Sequence, residues 1–255
     1  MELLGSKFSD YYVNLEEDNY KETIISRLKS QGIVTFEKDF SREEYVEFSK
    51  LFGKVHFHNK SGHDGADVIT NIYEQEWYRK FTARTFDFHT DLSKDKIPPT
   101  LLGFYCKQAA ETGGESTFVD GKQLYYTLKE KAPHIWKEVC RPSTVIFGED
   151  AIMGAIFEKA ENNNIFIRYR YDNLVYFSPP IINVLPELHE IMQELTISFK
   201  LENNQGYLVN NGVWLHGRKA WTGERSAFRI MLNSGEEKFG NIHLGFNPNE
   251  MIREA

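Results

Sequence analysis

Residues Leu208-Val-Asn-Asn-Gly-Val-Trp-Leu-His-Gly-Arg-Lys-Ala-Trp-Thr-Gly-Glu-Arg-Ser-Ala-Phe-Arg229 read as a strand that ends in a turn at Asn210-Asn-Gly212 and then presents His216. A polar loop follows, and a second strand carries Arg225 and Arg229. Side chains alternate along a strand, so two arginines four residues apart in an extended segment share one face. A guanidinium on the inner face of a β-structure is costly unless it meets an anion. Two of them beside a histidine therefore imply anionic ligands, since guanidinium is a bidentate clamp for carboxylate. A pair of surface arginines on an edge strand is the competing reading, as arginine is mostly exposed in proteins at large.

Working outward, Phe86-Asp-Phe-His-Thr-Asp-Leu92 offers a partner for His216. At a strand edge His89 and Asp91 point the same way. An imidazole and a carboxylate so placed, joined by a second histidine, make a two-histidine, one-carboxylate facial triad. That donor set leaves coordination positions open and suits non-haem iron(II). With eight histidines and 37 acidic residues in 255, a His-x-Asp pair arises about once by chance, so context has to decide.

The remaining chain is rich in short aromatic or β-branched runs punctuated by Gly, Pro and Asn, read as strands at Ile33–Phe36, Val55–His58, Val68–Tyr73, Phe86–His89, Leu101–Cys106, Thr144–Phe147, Ile165–Tyr169, Tyr207–Val209 and Phe228–Leu232. Helices are expected over Tyr20–Gln31, after the capping box Ser41-Arg-Glu-Glu44, over Gly121–Val139 with a break at Ala132-Pro133, and after Pro186. Regular strand–helix alternation is missing from the second half. The fold class is thus mainly β with flanking helices, a jelly roll. No repeat or Pro/Gly/Ser linker divides residues 1–255, which read as one domain.

Composition narrows the function. Net charge is −7 and no basic stripe is visible, which argues against nucleic acid as a partner. No run approaches the roughly 18 apolar residues of a membrane span. The start lacks a signal-peptide pattern. Cys106 and Cys140 form no Cys-x-x-Cys pair and are expected to be reduced, so a cytoplasmic location is expected. Trp214 is expected in the core, and His56, His58 and His63 as hydrogen-bonding or substrate-contacting side chains rather than a second metal cluster.

Several elements together resemble the taurine dioxygenase superfamily, which includes clavaminate synthase-like and γ-butyrobetaine hydroxylase-like enzymes. They run in family order from Leu51-Phe-Gly53 to about Asn233: His89-Thr-Asp91, Pro98-Pro99, Gly113-Gly-Glu-Ser-Thr-Phe-Val-Asp120, Asn211-Gly-Val-Trp-Leu-His-Gly-Arg218, then the two arginines. The resemblance implies a double-stranded β-helix, iron(II), 2-oxoglutarate as co-substrate and O2. It implies His89, Asp91 and His216 as metal ligands, Ser116 as a hydroxyl donor to 2-oxoglutarate, Arg225 as its carboxylate clamp, and Arg229 as a grip for an acidic substrate group. The nine positions from His216 to Arg225 are shorter than the family's usual gap, and the thirteen to Arg229 fit better. The sequence around Arg225 favours the first assignment, so the two roles stay exchangeable at this stage. Asp91 fills a place that is small in related halogenases, which implies hydroxylation. The expected reaction is hydroxylation of an unactivated C–H bond in a small carboxylate-bearing molecule, with a free amino acid as the first expectation. Asn71, Glu74 and Asp172 are candidates for its amine, and a homo-oligomer is allowed. A sulfonate or betaine substrate, a non-catalytic jelly-roll binding module and a zinc hydrolase are the alternatives.

Overall fold

The computed structural model describes residues 5–59, 61–70 and 82–249. Two antiparallel sheets dominate it. The major sheet runs β1 (Ile33–Glu37), β14 (Gln205–Asn210), β5 (Leu101–Gln108), β17 (Ser226–Asn233) and β2 (Lys54–Val55), with β3 (Asp67–Thr70) also pairing with β17. The minor sheet runs β13 (Thr196–Phe199), β7 (Ser116–Asp120), β15 (Trp214–Arg218) and β4 (Phe86–His89). Short pairs close the ends: β6 (Thr112–Gly113) with β16 (Trp221–Thr222), β10 (Phe157–Lys159) with β11 (Ile165–Ile167), and β8 (Val145–Phe147) between β9 (Ile152–Gly154) and β12 (Val175–Phe177). The two larger sheets make the expected double-stranded β-helix.

Period-two alternation sorts the major sheet into two faces. Leu102, Phe104 and Cys106 of β5, Tyr207 and Val209 of β14, and Ala227 and Met231 of β17 join the core shared with Phe118, Trp214 and Leu215 of the minor sheet. Leu101, Tyr105, Leu208, Ile230 and Leu232 face the other way, into a second cluster under α1 (Tyr20–Ser30) and α2 (Arg42–Lys50). Helix α2 opens on the expected capping box: Glu44 N–H donates to the Ser41 hydroxyl at 3.1 Å and Ser41 N–H to the Glu44 carboxylate at 2.7 Å. Helices α3 (Gly121–Lys131), α4 (Pro133–Val139) and α5 (Pro179–Glu194) add Leu124, Leu128, Ile135, Leu185, Leu188 and Met192 to the first core.

Several boundaries differ from expectation. Helix α5 begins at Pro179, seven residues before Pro186, which lies inside it. Prolines at the first two helical positions forgo donors that are unpaired there anyway. The carbonyl that Pro186 leaves unbonded belongs to Ile182, which is 53% exposed and can turn to water. Strands β7, β13 and β15 were not expected. All residues of β7 and β15 are buried, so no alternation marks them. The strand expected at Val55–His58 stops at Val55, and the part of Val68–Tyr73 beyond Thr70 lies outside the described residues, as do Asn71 and Glu74. Residues 240–249 pack against the fold: Ile242, Leu244 and Phe246 are buried, and Phe246 bridges to Ile165. Trp214 is core, and Cys106 and Cys140 are free thiols. No described helix is long and apolar enough to cross a membrane.

Candidate active site

Register creates the site. His216 of β15 stands directly opposite His89 of β4, and the ring centroids are 4.3 Å apart. The chain leaves β4 at Thr90 and turns so that Asp91 meets both rings. Its two carboxylate oxygens lie 3.6 Å from His89 Nε2 and 3.6 Å from His216 Nε2. One donor atom from each of the three residues falls within 4.8 Å of the others. His89 Nδ1 is 3.0 Å from the Asp87 carbonyl. That contact fixes the tautomer with the proton on Nδ1 and aims the Nε2 lone pair at the triad centre. Nε2 itself is buried and has no hydrogen-bond partner among the described residues. A buried polar atom left so is expensive unless a ligand completes it. The donor set therefore fits one divalent metal ion.

The turn is held from several sides. Asp91 N–H donates to Asn211 Oδ1 at 2.9 Å, and Asn211 Nδ2 donates to the Asp91 and Pro99 carbonyls at 3.0 and 3.1 Å. Thr90 N–H donates to the Tyr169 carbonyl at 2.7 Å, while its hydroxyl donates to the Ile167 carbonyl at 3.0 Å. Leu92 adopts φ 49°, a left-handed conformation rare for an apolar residue. Burial works against ionisation of Asp91, but Arg229, His216 and His89 outweigh it and hold the carboxyl well below its ordinary range. Burial and the neighbouring His89 push His216 down to about 4. Both ligands are thus ready to bind a metal at neutral pH without releasing a proton.

A cavity opens onto the triad, lined by Ile69, Phe86, Leu102, Phe104, Ser116, Tyr207, Arg218, Arg225 and Arg229 with the two histidines. The parity of β17 explains the arginines: Arg225 and Arg229 share the phase of Ala227 and Met231, which face the inner core. Arg225 is 4% exposed, and its guanidinium lies 5.2 Å from the ring centroids of both Trp221 and Phe104. Among the described residues its Nη1 has no hydrogen-bond partner. Burial lowers its pKa, and among the described residues no carboxylate acts on it. The Arg218 guanidinium carbon also lies over the Trp221 ring, 4.0 Å from its centroid, and the side chain donates to the Thr82 and Arg84 carbonyls at 2.7 and 2.9 Å. Burial and the Arg225 charge both lower the Arg218 pKa. Two mutually repelling buried cations make this corner a receptor for an anion. Ser116 lies across the β7–β15 ladder from Arg218, and its side chain meets the Tyr207 phenol.

Arg229 is engaged differently. Its Nε and Nη2 donate to Asp67 Oδ2 at 3.2 and 2.5 Å, and its Nη1 to the Asp91 carboxylate oxygens at 2.9 and 3.2 Å. Burial opposes its charge, but Asp91 and Asp67 outweigh this and raise its pKa. Of the other histidines, His58 Nε2 lies 3.3 Å from Asp67 Oδ1 and His56 Nε2 3.5 Å from Asp95. Asp172 forms a bidentate pair with Arg170 at 2.8 and 2.5 Å. Sequence reasoning missed Asn211, Asp67, Phe104 and Trp221 as parts of the site. Asn211 and Trp221 stood in quoted motifs, whereas Asp67 and Phe104 carry no local signal.

A double-stranded β-helix with two histidines and one carboxylate converging inside its mouth defines the class: a facial-triad metalloprotein of the jelly-roll type. The chain belongs to the taurine catabolism dioxygenase TauD, TfdA family, whose profile matches residues 5–232. It is 28% identical over 138 residues to an alpha-ketoglutarate-dependent sulfonate dioxygenase of Saccharomyces cerevisiae, covering 50% of this chain and 34% of that protein. It is 22% identical over 240 residues to human gamma-butyrobetaine dioxygenase, covering 83% of this chain and 59% of that protein. The chain thus spans only part of the curated relatives it matches. Among solved structures, an asparagine oxygenase in complex with Fe(II), (2S,3S)-3-hydroxyasparagine and succinate superposes with a TM-score of 0.69 at 10% identity, over 88% of this chain and 94% of that one.

Proposed function

We propose that this protein is an iron(II)- and 2-oxoglutarate-dependent oxygenase that hydroxylates an unactivated C–H bond of a small molecule, with a free amino acid as its substrate class. One observation carries the reading: a preformed facial triad shares its cavity with Arg225, a buried guanidinium whose Nη1 has no partner among the described residues. A binding module or a zinc hydrolase has no use for the second feature.

His89, Asp91 and His216 would hold the iron. Bound there, iron(II) would couple the oxidation of 2-oxoglutarate by O2, giving succinate and carbon dioxide, to insertion of the other oxygen atom into the substrate C–H bond. The chain's own work is positioning. Arg225 receives the distal carboxylate of 2-oxoglutarate, Ser116 donates to it, and the Phe104 and Trp221 rings fix the guanidinium plane. Ile69, Phe86 and Leu102 line the cavity with apolar surface and keep it poor in water. Asn71 and Glu74 are proposed substrate contacts. The asparagine oxygenase, which shares this fold, is consistent with an amino acid as substrate. We place the protein in the cytoplasm, where its two free thiols stay reduced.

The test is succinate release by protein supplied with iron(II), 2-oxoglutarate and air, screened across free amino acids and small sulfonates. One amino acid should stimulate succinate formation and gain one oxygen atom. Succinate no higher than in metal-free controls, with every candidate, would favour the binding module.

A further inference from the structure

Arg229 lines the cavity, yet each of its three guanidinium nitrogens already donates to a carboxylate. It stands directly opposite Asp67 in the β17–β3 ladder, and the two are 8% and 3% exposed. Asp67 Oδ2 receives both Nε and Nη2, and Asp91 receives Nη1. The other Asp67 oxygen lies 3.3 Å from His58 Nε2. An anionic group entering this corner would meet a guanidinium already neutralised by the protein, with the Asp67 charge beside it. Arg225, on the same inner face, offers the opposite: a cation with an Nη1 that has no partner among the described residues.

We propose that Asp67 is a specificity-determining residue that closes Arg229 to anionic substrate groups. The cavity then accepts one anion, at Arg225, and a substrate whose Arg229-facing end is neutral or cationic. This deepens the oxygenase reading and rests on it: an amino acid would present its side chain or ammonium group here, not its carboxylate, and a sulfonate would find no grip.

The test titrates the full chain, loaded with Zn(II) and 2-oxoglutarate, with taurine as a sulfonate probe. Wild type should show no saturable binding at millimolar taurine. Asp67→Asn keeps the shape and removes the charge. It should bind taurine at least about tenfold more tightly than wild type, and adding Arg229→Gln should erase the gain. In wild type the NMR resonance of the Arg229 Nε–H group should not move with taurine, a readout that needs no variant to fold. Saturable wild-type binding that moves this resonance, no gain in folded Asp67→Asn, or a gain that survives Arg229→Gln would each overturn the proposal. If Asp67→Asn does not fold, the wild-type resonance decides. Zn(II) and 2-oxoglutarate binding are recorded in the same samples; a wild type that takes up neither defeats the oxygenase reading itself, a result distinct from taurine seated at Arg229.

Discussion

Asp91 and Asn211 are locked to each other by a reciprocal pair of hydrogen bonds: the Asp91 N–H donates to Asn211 Oδ1 at 2.9 Å, and Asn211 Nδ2 donates to the Asp91 carbonyl at 3.0 Å. Asn211 is fully buried at the turn before β15, and Asp91 opens the turn after β4. The pair thus ties two segments 120 residues apart near the point where both reach the candidate metal triad. The Asp91 side chain is aimed by its backbone, and its backbone is aimed by Asn211.

Asn211→Ala leaves the Asp91 N–H and the Asp91 and Pro99 carbonyls without their partner. Unfolding free energy should fall by about 2–4 kcal/mol, and Zn(II) affinity should fall with it. Urea unfolding and a metal titration on the same preparation check this. Unchanged values in both would mean that the turn holds itself.

Gly217 separates β15 from β4. A methyl group there would stand 2.6 Å from the Phe86 carbonyl oxygen and 2.8 Å from the Thr117 hydroxyl. Backbone cannot yield as a flexible side chain does, so Gly217→Ala should push β4 away and take His89 with it. The expected result is a loss of at least about tenfold in metal affinity, read by calorimetry. Wild-type affinity in the variant would show that β4 can shift without moving His89.

The metal-free protein should lose stability in mild acid through His216. Burial lowers its pKa in the fold from 6.5 to about 4. The unfolded chain therefore binds the proton more readily, and stability falls as pH drops through that window, levelling off below it. Asp91 stays ionised throughout, because its pKa is held well below the ordinary value despite burial. Between pH 7 and pH 5 this histidine alone should account for about 2 kcal/mol. The pH slope of urea unfolding should be shallower in His216→Asn. An equal slope in both proteins would place the proton uptake elsewhere.

Much of the site was legible because its chemistry needs rare residue types in fixed order. His89-x-Asp91, His216 and the two arginines stand out by identity, and the four-residue spacing of the arginines puts them on one face of an extended segment. What stayed hidden has a physical reason. Asp67 sits 162 residues from Arg229 and meets it only because β3 pairs with β17. A lone aspartate on a short strand carries no sign of that contact. Strands β7 and β15 are buried on both faces, so the period that reveals a half-exposed strand is missing from the two that carry Ser116 and His216. Helix α5 was read late because Pro186 marks a start as plausibly as Pro179 does, and only the exposure of Ile182 makes an internal proline tolerable.

The central claim is that the triad and Arg225 form one receptor for iron and 2-oxoglutarate. Its most direct test is an anaerobic titration of the iron(II)-loaded protein with 2-oxoglutarate, followed through the metal-to-ligand absorption band. Wild type should develop a saturable band, and Asp91→Ala should develop none. Arg225→Ala loses a buried charge-assisted bond worth about 3–5 kcal/mol and should need at least about a hundredfold more 2-oxoglutarate. No band in wild type, or a band unchanged in Arg225→Ala but abolished in Arg229→Ala, would contradict the account, the second result by exchanging the two arginines.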